Sequence, residues 1–134
     1  MNNNYIKSFL LSFNGALNFF RLSRKFKKIV FYSETEQDWH FFEPLIEELL
    51  NYQQIHVCFL SSDLNDPGLK ITNPRYYPFF IGRKIPLIFS FHFIEADLVI
   101  MTMGDLDNYH IVKNKNTEKP PYYIHIPHSP CSAH

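Results

Sequence analysis

The feature that most restricts how this chain can fold is a rhythm. Five short apolar and aromatic runs, KIVFYSE (28–34), IHVCFLSS (55–62), RYYPFFIG (75–82), DLVIMTM (97–103) and YYIHIP (122–127), read as strands. Between them the period changes. In TEQDWHFFEPLIEELLNYQ (35–53), Leu45, Ile46, Leu49 and Leu50 share one helical face while Glu43, Glu47 and Glu48 point away. Pro44 suits such a helix only near its start, where a missing amide proton costs nothing. In KIPLIFSFHFIEA (84–96), Pro86 fits a first turn and Leu87, Ile88, Phe91 and Ile94 line one side. DLNDPGL (63–69) and GDLDNYHI (104–111) are loops by composition, and Pro78 weakens the third run as a paired strand. Strand and helix in alternation predict an α/β fold, a Rossmann-like parallel sheet with helices on both faces, because parallel neighbours need crossover connections.

A chain of 134 residues has room for one such domain with a real core. Aromatics make up 17% of it against only 4 glycines, which supplies ample material to bury. The formal charge of zero hides a polarity. Residues 1–28 carry six basic side chains (Lys7, Arg21, Arg24, Lys25, Lys27, Lys28) and no acid, leaving seven basic and thirteen acidic residues in the remainder. In this leader Ile6, Phe9, Leu10, Phe13, Leu17 and Phe20 recur at helical spacing, with Leu11, Phe19 and Leu22 broadening the stripe. Lys7, Asn14 and Asn18 interrupt it too often for a membrane span, and no cleavage site of a secretory signal follows. Residues 1–27 are therefore predicted to form a basic amphipathic helix. It packs on its own or a neighbouring domain, or lies on an anionic membrane surface. The second region is the domain of residues 28–134. No basic and aromatic interleaving continues into it, which disfavours nucleic acid.

In an open parallel sheet, ligands gather beyond the carboxyl ends of the strands. That rule selects Ser33 and Glu34 after the first run, Ser61, Ser62 and Asp63 after the second, residues 102–107 (including Asp105 and Asp107) after the fourth, and His128 and Ser129 after the fifth. His110 can line the same cleft. Each of these residue types is also common as a loop residue or helix cap. No G-x-G-x-x-G follows any strand, so a standard dinucleotide site is disfavoured. His125, His128 and His134 have no metal-ligand spacing, and Cys58 and Cys131 form no recognisable framework. His125 alternates with Ile124 and Ile126 inside its strand and is expected to pack. His128 falls at the strand end, where an imidazole can face the crevice and accept a proton near neutral pH.

The segments FYSETEQDWHFFEPLIEELL, DLVIMTMGDLDNYHI and YYIHIPHSPCSAH, in this order, resemble the amino-terminal part of the CDP-glycerol glycerophosphotransferase family. These enzymes are related to GT-B glycosyltransferases and polymerise teichoic-acid-type cell-surface chains. The resemblance covers residues 28–134 and leaves the leader outside. It implies an acceptor-side Rossmann-like domain working with a second domain that binds the CDP-alcohol donor. His128 stands where the family has the base that activates the acceptor hydroxyl. Ser129 replaces a glycine of the family's turn, and His134 stands where a basic residue is expected. The implied reaction is attack of a polyol-phosphate or glycan hydroxyl on the donor's β-phosphorus with loss of CMP. Ser33, Glu34, Asp105, Asp107, His110, Ser129 and His134 would contact substrate, and no cofactor is called for. On this reading the chain is an amino-terminal fragment, truncated at its carboxyl end, inactive without the donor-binding domain, and placed in the cytoplasm or on the inner face of the cell membrane. The alternative from the residues alone is a non-catalytic α/β binding or interaction domain.

Overall fold

The computed structural model describes residues 3–84, 86, 94–102 and 121–126. These residues form a five-stranded, all-parallel sheet of β1 (Ile29–Ser33), β2 (Val57–Ser61), β3 (Tyr76–Phe80), β4 (Leu98–Met101) and β5 (Tyr122–His125), in the order β3-β2-β1-β4-β5. The α/β parallel-sheet architecture read from the sequence is thus the architecture observed. Each strand lies within its predicted run. The chain runs outward from β1 through β2 to β3, and β4 lies on the other side of β1. The strand order therefore reverses between β1 and β4.

Helix α1 (Asn3–Arg21) and helix α2 (Trp39–Leu50) share their cores with opposite faces of the sheet. Alternation along the strands sets the two faces. Val30, Tyr32, Cys58, Leu60, Val99 and Met101 meet Ala16 and Phe19 of α1, whereas Phe31, Val57, Phe59 and Ile100 meet Phe42 and Ile46 of α2. On the α2 side the aromatic rings meet edge to face. Phe31 and Phe42 are 5.3 Å apart, Trp39 and Phe59 5.5 Å, and each such pair adds about 0.5–1.5 kcal/mol beyond area burial. Pro78 is accommodated because β3 is an edge strand of the described sheet, paired only with β2.

Three details depart from the expected pattern. A single 3-10 turn (Glu36–Asp38) precedes α2, so Pro44 lies in the helix interior rather than near its start. It sits on the exposed side, where the His40 carbonyl it leaves unbonded can face water. The buried positions of α2 are Phe42 and Ile46, while Leu45 is exposed. His125, expected to pack, is exposed on β5, which lies at the opposite edge of the described sheet. The expected helix in 84–96 falls largely outside the described residues.

The C-terminus of α2 is held by a residue with no obvious sequence signal. The Arg75 guanidinium donates to the carbonyls of Leu50, Tyr52 and Ile55 at 2.6, 2.6 and 3.0 Å. The Leu50 carbonyl is one that the end of the helix leaves without an intrahelical partner, and those of Tyr52 and Ile55 belong to the turn that follows it. Cys58 lies in β2, buried on the face that α1 covers, with its thiol donating to the Phe26 carbonyl, and burial pushes its pKa up to about 12, so it stays protonated at neutral pH.

Helix α1 is joined to the sheet by its small residues. Ser12, Gly15, Ala16 and Phe19 are buried, and the backbone of Phe80 lies against Gly15 so closely that a β-carbon there would sit 1.9 Å from the Phe80 carbonyl oxygen. Gly82, with φ of 67°, turns the chain beside Ser12. Lys27 returns to the C-terminus of α1, where its ammonium donates to the carbonyls of Phe19 and Phe20, each at 3.1 Å. Desolvation by burial lowers the pKa of that ammonium.

Candidate functional site

Two arrangements occupy the carboxyl edge of the sheet, and they differ in kind. The first lies over β1 and the strand-order reversal. The loop after β2 carries Asp66 into the interior, where its Oδ2 accepts from Ser33 Oγ at the end of β1 (2.5 Å) and Ser61 Oγ at the end of β2 (2.8 Å). Its Oδ1 accepts from the Gly68 amide at 3.0 Å. Asp66 caps the 3-10 turn Pro67–Lys70 in this way. On the other side of β1, Asp38 Oδ2 accepts from the Glu34 amide and from Thr102 Oγ1 after β4, both at 2.9 Å. Ser33, Asp38, Ser61, Asp66 and Thr102 are all buried. Desolvation raises the pKa of Asp66, and its hydrogen bonds to Ser33, Ser61 and Gly68 oppose that rise. This network ties the loops after β1, β2 and β4 to one another, and its polar atoms are spent on one another.

The second arrangement is a groove of about 350 Å³ between α1 and the ends of β2 and β3. Tyr5, Ser8, Phe9 and Ser12 line it from α1, Ser62, Asp63 and Leu64 from the loop after β2, and Phe80, Gly82, Arg83 and Lys84 from β3 and its exit. The sequence dictates this wall directly. Gly15 and Gly82 let α1 approach β3 closely, which brings the first half of the helix over the strand ends. The lining combines aromatic rings (Tyr5, Phe9, Phe80), serines (Ser8, Ser12, Ser62), one carboxylate (Asp63) and two cations (Arg83, Lys84). Ser62 Oγ is bonded to the buried Tyr32 hydroxyl at 2.5 Å, which fixes its position. Asp63 is held by accepting from the amides of Glu36 and Asn65 at 2.8 and 3.0 Å. Arg83 donates to the Glu34 carbonyl at 2.7 Å and lies 3.9 Å from the Glu34 carboxylate. One end of its guanidinium is therefore anchored, while the side chain remains half exposed.

The residues expected to contact substrate separate accordingly. Ser33 is fully buried, and its hydroxyl is committed to Asp66 and the Thr35 carbonyl. Its place is beneath the edge, holding Asp66, and burial removes it from direct reach of a ligand in the groove. Glu34 is half-buried and positions Arg83. Ser62 and Asp63 line the groove. Asp105, Asp107, His110, His128, Ser129 and His134 lie outside the described residues. Arg83 and Lys84 were not among the expected site residues, although their position just after the third apolar run marks them by the same strand-end rule. Asp38 and Asp66 had no such signal. An aspartate in a Pro- and Gly-containing loop reads as solvated, and only the register of β1 against β2 and β4 brings hydroxyls to it.

Among the described residues no group of three His, Cys, Asp or Glu side chains is placed to hold a metal ion, and no helix is long and apolar enough to cross a membrane. Comparison with family models, curated proteins and solved structures finds no match to this chain.

Proposed function

We propose that this chain is the acceptor-side domain of a CDP-alcohol phosphotransferase of cell-surface polymer synthesis, and that the groove between α1 and β3 receives a phosphorylated polyol. The observation that carries the reading is the lining of that groove. Ser8 offers a hydroxyl to a polyhydroxylated ligand, beside Ser12 and Ser62, whose hydroxyls are bonded to the Phe9 carbonyl and the Tyr32 hydroxyl; Tyr5, Phe9 and Phe80 offer an apolar wall for its carbon face, and Arg83 and Lys84 offer cations to a phosphate. Arg83 is preorganised by Glu34, so ordering it costs little on binding. The chemistry the family resemblance implies assigns the proton transfer to His128 and the donor's phosphates to a separate domain, with positioning and charge stabilisation supplying most of the rate.

Titration of the full chain with glycerol 3-phosphate, followed by amide chemical shifts, tests this. The expected result is saturable shifts at Ser62, Gly82 and Lys84 that are lost in Arg83→Ala/Lys84→Ala. Shifts that are unchanged in the double variant, or absent in the wild type, overturn the reading.

A second reading, a non-catalytic binding domain, is favoured by one observation. Among the described residues the groove presents no histidine, and the carboxyl-edge serines Ser33 and Ser61 have hydroxyls already bonded to Asp66. The two separate on His128→Ala. The transferase reading expects this variant to abolish CMP release from CDP-glycerol, in the presence of the donor-binding domain, while leaving glycerol 3-phosphate binding intact.

A further inference from the structure

Helix α1 has two apolar faces, and among the described residues only the one with the smaller side chains packs against the sheet. Ser12, Gly15, Ala16 and Phe19 are turned to the sheet. The larger set, Ile6, Phe9, Leu10, Phe13, Leu17 and Phe20, forms a second stripe about a third of a turn further round the helix. Five of these six are exposed, with Leu10 at 61%, Phe20 at 52% and Phe13 at 48%. From Ile6 to Phe20 the stripe runs about 21 Å along the helix axis, at 1.5 Å per residue. A soluble surface rarely carries a continuous row of this kind without a partner.

The charge around the stripe decides which partner. Lys7 and Arg21 lie on the side of α1 next to the stripe, on the flank away from the sheet. Arg24 and Lys25 continue from its end in the 3-10 turn Arg24–Phe26, and all four are exposed. Their opposing charge is slight. Arg24 meets Glu95 at 4.0 Å with both side chains well exposed, a pair of little strength. Residues 1–28 contain no acid.

We infer that α1 docks the domain on an anionic lipid surface, lying in the plane of the interface with Leu10, Phe13 and Phe20 in the acyl boundary and Lys7, Arg21, Arg24 and Lys25 at the headgroups. A helix in this position binds without crossing, in keeping with its polar face: α1 is not apolar enough over its length to cross a membrane. Lys27 prepares the geometry. Its ammonium lies over the Phe19 and Phe20 rings at 5.2 and 5.9 Å and holds the end of the helix against the domain, so the stripe is presented by a rigid element. Phe9 belongs both to the stripe and to the groove wall, so docking sets the mouth of the groove beside the bilayer. The inference stands apart from the transferase reading, since it depends only on the outer face of α1.

Sedimentation of the full chain with phosphatidylglycerol vesicles and with phosphatidylcholine vesicles is the test. It is run at low and high salt for the wild type, Leu10→Glu/Phe13→Glu and Arg24→Glu/Lys25→Glu. Both pairs change exposed residues, and circular dichroism melting verifies that each variant folds. The expected result is binding to phosphatidylglycerol that weakens by about tenfold or more in either variant, falls with salt, and is much weaker on phosphatidylcholine. Failure of the wild type to sediment with phosphatidylglycerol overturns the inference, as does unchanged binding by Leu10→Glu/Phe13→Glu. Equal binding to both lipids removes the anionic surface as the partner. Light scattering gives a further decisive outcome: a wild-type dimer that Leu10→Glu/Phe13→Glu converts to a monomer makes the stripe an interface between two copies and overturns lipid docking.

Discussion

Over β1 the carboxyl edge of the sheet is filled by the protein's own side chains, whereas beside β3 it borders a groove. Both places are strand ends followed by loops rich in polar residues. What separates them is whether a buried carboxylate reaches back to the strand. Asp66 and Asp38 do so around β1 and consume the hydroxyls of Ser33, Ser61 and Thr102 together with two backbone amides. Among the described residues no buried carboxylate plays that part at the exit of β3, where Gly82, Arg83 and Lys84 border the groove beside α1 and the partly exposed Glu34 meets Arg83. A strand-end position is therefore available to a ligand only where the loops leave its polar atoms uncommitted.

Four changes break or sharpen this contrast. The largest effect belongs to Asp66→Ala. It strands two buried hydroxyls and an amide, and is expected to cost about 3–5 kcal/mol in urea unfolding. A loss below about 1 kcal/mol would mean that Asp66 does not hold the edge together. Next is Gly15→Val, which drives a side chain into the Phe80 backbone and is expected to cost about 2–4 kcal/mol while loosening the groove wall. An unperturbed glycerol 3-phosphate titration in that variant would separate groove integrity from helix docking.

A smaller effect is the pH dependence of the Asp66 network. Its pKa is raised on folding, so the folded state holds the Asp66 proton more tightly than the unfolded chain does. Its contribution favours the fold at low pH and declines as pH rises from about 4, the ordinary carboxylate value, through the raised one. The unfolding free energy of the wild type relative to Asp66→Asn should accordingly fall with pH across that window, and a difference that rises instead would reverse the assignment. The smallest expected change in stability is that of Arg83→Ala, within about 0.5 kcal/mol because the side chain is half exposed. Its effect should appear in ligand binding, and a larger destabilisation would move Arg83 into the structural half of the comparison.

The two regions were also unequally legible in the sequence. The strands announce themselves because each is a run of large apolar side chains with a polar exit, and β1 to β5 all lie where such runs occur. The docking face of α1 does not, since its signal is Gly15, Ala16 and Ser12, residues that mean close approach only once Phe80 is known to lie opposite. Hydrophobic periodicity selects the neighbouring stripe of the same helix, about a third of a turn round, which is the more exposed one. Ser33 was legible as a strand-end residue, but its burial depended on Asp66, whose approach follows from the 3-10 turn at Pro67–Lys70. Local pattern thus locates the elements, and partners distant in sequence decide which of their side chains remain free.

The seating of α1 on β3 also orders events as the chain is made. Helix α1 emerges before the sheet during synthesis and can form from local interactions alone, yet the strand it rests on, with Phe80 and Gly82, comes only after β1, α2 and β2. Until then both of its apolar faces are uncovered. A nascent chain of this protein passes through a stage in which helix α1 is sticky on two sides, and a surface that engages the outer stripe early would shield one of them while the sheet assembles.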